Sequence, residues 1–269
     1  MSKRGTKIYD YAQERAKWLE LLVGDDRNSI RRQLSAVAWD LASFETIGEA
    51  IRLARREGDN SPKVPPLIVN LLRVGFYANL FVSIRRLVDP RGDVSSLTRI
   101  LKEMKRKSGC INRKAMLSAE GIPYDYLPAK QEQELLLRQA ILEKAGGLNV
   151  PPHLDWELFA ARHEVIDRLT GTTEKRRLES DHIPRHLFDN LISWVEKVAK
   201  QATDYANQFV AHASEPESPS RSNVENVSIS HGNLVECYKC LCNVYNFIRC
   251  EILGVGRGLT SLKFLYQAL

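Results

Sequence analysis

The stretch from Pro66 to Ile84, PLIVNLLRVGFYANLFVSI, is the most apolar in the chain and is long enough to span a bilayer. It also holds Asn70, Arg73 and Asn79, side chains that are costly to place in hydrocarbon. We therefore read it as a buried central helix, apolar on most sides because neighbours cover it, and expect no membrane partner. A chain that buries such a helix has to surround it with long amphipathic ones, and the flanking periodicity predicts them. Asn28 or Ser29 can cap a segment running to about Glu57, in which Ile30, Leu34, Val37, Leu41, Phe44 and Ile47 recur at spacings of three and four. GDNSPKVPP stops it, and Pro65 and Pro66 stand where a helix can begin without their missing amide hydrogens.

Beyond Val88, Asp89-Pro90-Arg91-Gly92 is a turn signature, and Ser95 is placed to cap the next segment. There Leu97, Ile100, Leu101 and Met104 form an apolar stripe, and Arg99, Lys102 and Arg106 share the opposite face. From Gly109 to Pro184 the pattern weakens to helices near 129–145 and 156–169, split by Gly146-Gly147 and Pro151-Pro152. A strong helix is predicted from Arg185 to Ala211, with Leu187, Leu191, Val195, Val198, Ala202, Tyr205 and Phe209 on one face, and a last one from Gly232 to Leu253. No run alternates like a strand and no internal repeat is evident. The expected fold is all-α: a bundle of long antiparallel helices in one domain, residues 1–269, with residues 109–184 as an insertion of short helices.

Of the 269 residues, 43% are hydrophobic and 27% charged, the composition of a globular chain. The formal charge of +6 is unevenly spread. Ten basic residues (Arg85, Arg86, Arg91, Arg99, Lys102, Lys105, Arg106, Lys107, Arg113 and Lys114) face Asp89, Asp93 and Glu103 between positions 85 and 114, so this segment holds the whole excess. Arg85, Arg91, Arg99, Lys102 and Arg106 are the expected contacts for an RNA backbone, against the plainer reading of a solvated helix face. Five cysteines, four of them between Cys237 and Cys250, argue against a disulfide framework and for a cytoplasmic location. The N-terminus has no apolar segment of secretory type. Cys237-x2-Cys240-x-Cys242 lacks the second thiol pair of a zinc ribbon, and His182 and His186 bracket Pro184 at a helix start. No metal and no cofactor is expected, although a metal-dependent hydrolase built from the histidines and cysteines remains a third reading.

His212 ends the helix from Arg185, where the negative end of the helix dipole favours the protonated ring and suits proton transfer. A partly buried histidine bound to a carbonyl fits the same position. Asn207 lies about 140° from His212 in a regular helix, so the two converge only if the helix unwinds or a second subunit supplies one of them.

The runs RRLVDPRGDVSSL and YANQFVAH together resemble the Abi-U-like (abortive infection) branch of the HEPN superfamily, with Arg86-Leu87-Val88-Asp89 and Ser96-Leu97 in the first run and Asn207 through Ala211-His212 in the second. The resemblance implies a helical bundle, commonly a homodimer, whose catalytic members are metal-independent endoribonucleases of phage defence or toxin–antitoxin systems. It implies His212 as general acid or base, Asn207 as the orienting polar residue and Arg86 as the charge on the phosphoryl transition state. Ala206 stands where the superfamily motif has its arginine. A non-catalytic module binding RNA or a partner protein of the same defence system is therefore the competing expectation.

Overall fold

The structure, a computed structural model, describes residues 10–56, 64–142, 156–207 and 230–256. Among these residues the chain is all-α, with no strand beyond one bridge between Asn112 and His182. The helices are α1 (Tyr11–Val23), α2 (Ile30–Arg56), α3 (Pro66–Val88), α4 (Leu97–Arg106), α5 (Arg113–Ala119), α6 (Leu127–Leu142), α7 (Trp156–Thr170), α8 (Arg185–Tyr205) and α9 (His231–Asn246). A wider π turn over Phe247–Ile252 prolongs α9.

The apolar periodicity places the core. All four stripe residues of α4, Leu97, Ile100, Leu101 and Met104, are fully buried, and they face Leu187, Leu191, Val195, Ala199 and Ala202 of α8 and Leu80, Ile84 and Leu87 of α3. The α4–α8 pair is antiparallel, as Lys105 meets Asp189 and Lys102 meets Glu196. Asn79 donates to Asp40 at 2.7 Å and Phe76 stacks on Phe44, which makes α2 and α3 antiparallel as well. The cap of α4 is Ser96 and not Ser95: its hydroxyl accepts from the Arg99 amide at 3.1 Å.

The expectation for α3 needs correction. Only its last third is buried, through Leu80, Phe81, Ile84, Leu87 and Val88, while Leu67, Ile68, Leu71, Leu72 and Val74 are exposed. Among the described residues α8, α2 and α4 pack against α3, and its buried positions gather at its C-terminal end.

Residues 109–184 share the core with the rest, since Ile111, Met116, Leu117, Ile122, Ile166, Leu169 and Ile183 belong to the same buried cluster. They also hold the chain ends in place. Arg162 on α7 forms a buried fork on Glu120, with its Nη2 2.6 Å and its Nε 2.8 Å from the carboxylate oxygens, and also donates to the backbone carbonyls of Glu251 and Ile252. Tyr11 and Arg15 of α1 donate to the carbonyls of Ile252 and Leu253. The last turn of the final helix, whose carbonyls have no helical partners, is thus closed by side chains from α1 and α7. Gly254 ends it with φ of +64°, and a Cβ there would lie 2.1 Å from the Glu120 side chain. Gly254→Ala should therefore destabilise the protein by about 2–4 kcal/mol, through the left-handed backbone and the displaced Glu120–Arg162 pair together. Urea denaturation followed by circular dichroism measures it, and an unchanged midpoint would refute the coupling.

Candidate functional site

The corner between α3 and α4 positions most of the residues picked out in the sequence. Leu87 and Val88 turn inward, which leaves Arg85 half-buried and Arg86 exposed in the last turn of α3. Arg86 donates to the Asn28 side chain at 2.6 Å, ahead of α2. Gln33 ties the same corner together, donating to the carbonyls of Asn28 at 2.6 Å and Ser95 at 2.8 Å. Asp89 is engaged by Arg91 and not by Arg86. Its carboxylate accepts from the backbone amide of Arg91 at 2.9 Å and from the Arg91 guanidinium at 3.1 Å. Partial burial would raise the Asp89 carboxyl, but these bonds outweigh it and hold the group below the ordinary carboxylate range. The Ser96 hydroxyl donates to the Asp89 carbonyl while accepting from Arg99. The Arg-Leu-x-Asp and Ser-Leu pair is thus a set of bonds that shapes a turn and starts a helix.

The basic face of α4 is largely paired. Arg99 binds Glu103 at 3.1 Å, Lys102 lies 3.9 Å from Glu196, and Arg91 is held by Asp89. Other cations of the segment are equally engaged: Lys105 with Asp189, buried Lys107 with Glu14, Lys114 with Glu179, and buried Arg113 with Asp167 and Asp181. Among the described residues Arg85, Arg86 and Arg106 form no salt bridge, although the charge of Arg85 acts on Asp89 and helps to hold its carboxyl down. The folded protein therefore presents far less positive field here than the linear count suggests, because acids from α1, α7 and α8 are folded against it.

At the end of α8, Tyr205 packs its ring 4.2 Å from that of Phe81 on α3. Ala206 is fully buried and Asn207 half-buried, and at these two residues the backbone passes from α to a π turn. Arg86 lies five residues beyond Phe81, about 140° around α3, so it faces away from the side that receives α8. The side chain of Arg86 is engaged by Asn28, and among the described residues no hydrogen bond joins it to Asn207. His212 lies outside the described residues.

One pair went unnoticed in the sequence. His231, the first residue of α9, has Nε2 2.9 Å from Glu45 on α2, and its ring lies 5.7 Å from that of Phe44. Ser230 caps α9 by accepting from the Asn233 amide at 3.1 Å. That serine before a helical pattern is the signal that would have started the helix at His231 and not at Gly232.

The cysteines and the other histidines do not converge. Burial pushes the Cys237 thiol up to about 12, and among the described residues no three His, Cys, Asp or Glu side chains are grouped to hold a metal ion. His182 and His186 are exposed, whereas His163 is buried beside Tyr124 and Tyr126. Comparison with family models, with curated proteins and with solved structures finds no match.

Burial, aided by Arg177, keeps His163 below the ordinary histidine range. On acidification below about pH 6.5 the unfolded chain takes up this proton before the folded one, so stability falls. The urea midpoint should drop between pH 7.5 and pH 5.5, and His163→Phe should lessen that drop; an equal drop in both proteins would refute the assignment. Ser96→Ala, which removes both bonds at the corner, should cost about 1–2 kcal/mol in the same assay at pH 7.5.

Proposed function

We propose that this is a HEPN-like helical protein of a bacterial defence or toxin system that engages RNA along the edge formed by the end of α3 and the outer face of α4, and that a single chain acts as a binding module. The observation that carries this reading is the placement of the motif positions. Ala206 is wholly buried where the superfamily arginine is expected, and Arg86, the substitute, is bound to Asn28 on the far flank of α3. A phosphoryl transition state needs fixed positive charge on its oxygens, and neither position supplies it beside Asn207. For binding, Arg85 and Arg106 form no salt bridge among the described residues, Arg85 acting on Asp89 through its charge alone, and Lys102 is exposed at a loose 3.9 Å from Glu196. Such a surface contacts the phosphate backbone without reading bases, and its affinity falls steeply with salt.

A second reading is the metal-independent endoribonuclease, with His212 as general acid or base, Asn207 orienting and Arg86 supplying charge. It draws support from the widening of the helix at Ala206–Asn207, beside the motif's polar position.

Total RNA incubated with the purified protein in chelator separates the two. The binding module predicts salt-dependent RNA binding without cleavage, weakened about tenfold in Arg85→Ala/Arg106→Ala. Cleavage that survives chelator and vanishes in His212→Ala would establish the nuclease. Absence of both binding and cleavage would refute both.

A further inference from the structure

We infer that the exposed apolar face of the α2–α3 hairpin is the surface through which two copies of this chain pair, with α3 packed antiparallel against its mate about Val74 and Gly75. Helical geometry places Leu67, Leu71, Val74, Ala78 and Val82 within about 80° of one another on α3, opposite the side that stacks on Phe44 of α2. Leu67 is 68% exposed, Leu71 62% and Val74 55%. Ile68 and Leu72 widen the ridge toward α2, where Trp39 is 74% exposed. That indole lies about 160° from Leu41, which α2 buries, and at the level of Asn79, since the next residue, Asp40, accepts from Asn79.

Three features commit this face to a second copy. The first is its size: the ridge offers on the order of 500 Å² of apolar surface per protomer before Trp39 is added, near the upper end for a monomer and most of the roughly 800 Å² per partner of a stable interface. The second is self-complementarity. An antiparallel pair centred between Val74 and Gly75 sets Leu67 against the partner's Val82 and Leu71 against the partner's Ala78. The indole at the Val82 end then covers the partner's Leu67–Ile68 end, and a Cβ built on Gly75 meets nothing within 4 Å, so the helices approach closely at the axis. The third is charge. Arg73 is the one ionised residue between positions 66 and 84; it lies on the flank away from the ridge and donates to Asn70, so no like charges oppose across the axis.

A bilayer fits less well. α3 has the length and hydropathy to span one, but Leu80, Phe81, Ile84, Leu87 and Val88 are locked into the core, and its antiparallel partner α2 carries Asp40, Glu45, Glu49 and Arg52 alongside.

The inference stands apart from the RNA reading, because association is measured without RNA. Sedimentation velocity of the full chain should show a dimer at micromolar concentration. Leu71→Glu/Val74→Glu should weaken it on the order of 100-fold while leaving the helical circular dichroism unchanged, since both positions are exposed in the protomer. Oxidised Val74→Cys should give a disulfide-linked dimer on a non-reducing gel, while the parent chain and Lys102→Cys do not. A wild-type monomer, a dimer indifferent to the double glutamate change, or cosedimentation of the monomer with phosphatidylcholine–phosphatidylglycerol vesicles would overturn it.

Discussion

Arg162 joins three stretches of chain that are far apart in sequence. It sits on α7, its fork closes on Glu120 after α5, and two of its N–H groups reach the carbonyls of Glu251 and Ile252 at the end of the final helix. Burying a guanidinium is costly unless its charge is paired and its donors are engaged; here Glu120 pairs the charge and all three nitrogens donate. The consequence spreads outward: the last turn of the final helix is held where Tyr11 and Arg15 of α1 also reach it, so the N-terminal helix, the middle region and the C-terminal helix meet at one point. The short helices of residues 109–184 therefore act as a clamp on the bundle. Arg113 is likewise fully buried, paired through Nη2 with Asp167 and through Nε with Asp181.

The helices were legible because their information is local. The stripe Leu97, Ile100, Leu101 and Met104 has a 3.6-residue period, and all four residues are buried as that period demands. Its cap was misplaced by one residue because Ser95 and Ser96 are chemically alike, and the choice depends on the Asp89 carbonyl, which the fold brings up to Ser96. The burial of α3 was misread for a different reason. A run of apolar residues reports that a helix prefers a nonpolar neighbour, but it does not say whether that neighbour is another part of the same chain. The fold decides it: among the described residues the buried positions of α3 lie at its C-terminal end, toward the corner that leads into α4.

Of the candidate site, composition carried the number of charges and missed their partners. Each ion pair of the segment from Arg85 to Lys114 with Glu14, Asp167, Glu179, Asp181, Asp189 or Glu196 is a long-range contact invisible to a window of sequence. Arg86 has Asp89 as its nearest acid in sequence. In the fold Asp89 turns to Arg91, two residues on, and leaves Arg86 to Asn28. His231 and Glu45 were missed for the same reason, as 186 residues separate them.

The two halves of the motif resemblance carry different weight once the bonds are known. Arg86 through Leu97 builds a corner: Asp89 and Ser96 close a turn and cap a helix, and Leu87 and Leu97 fill the core beneath it. Any bundle that makes this turn between two helices at this angle has a use for the same residues, so this half speaks for a shared shape and is silent on chemistry. The half that bears on chemistry is the end of α8. There Ala206 is buried where the resemblance would place a cation, and the helix widens at Ala206–Asn207. Whether phosphate chemistry is possible thus turns on what stands beside Asn207, and the positive charge it requires has to come from outside the flank of α3 that holds Arg86. An assembly of two chains is the simplest source of such a residue, which makes the exposed ridge of α3 and the missing arginine parts of one question.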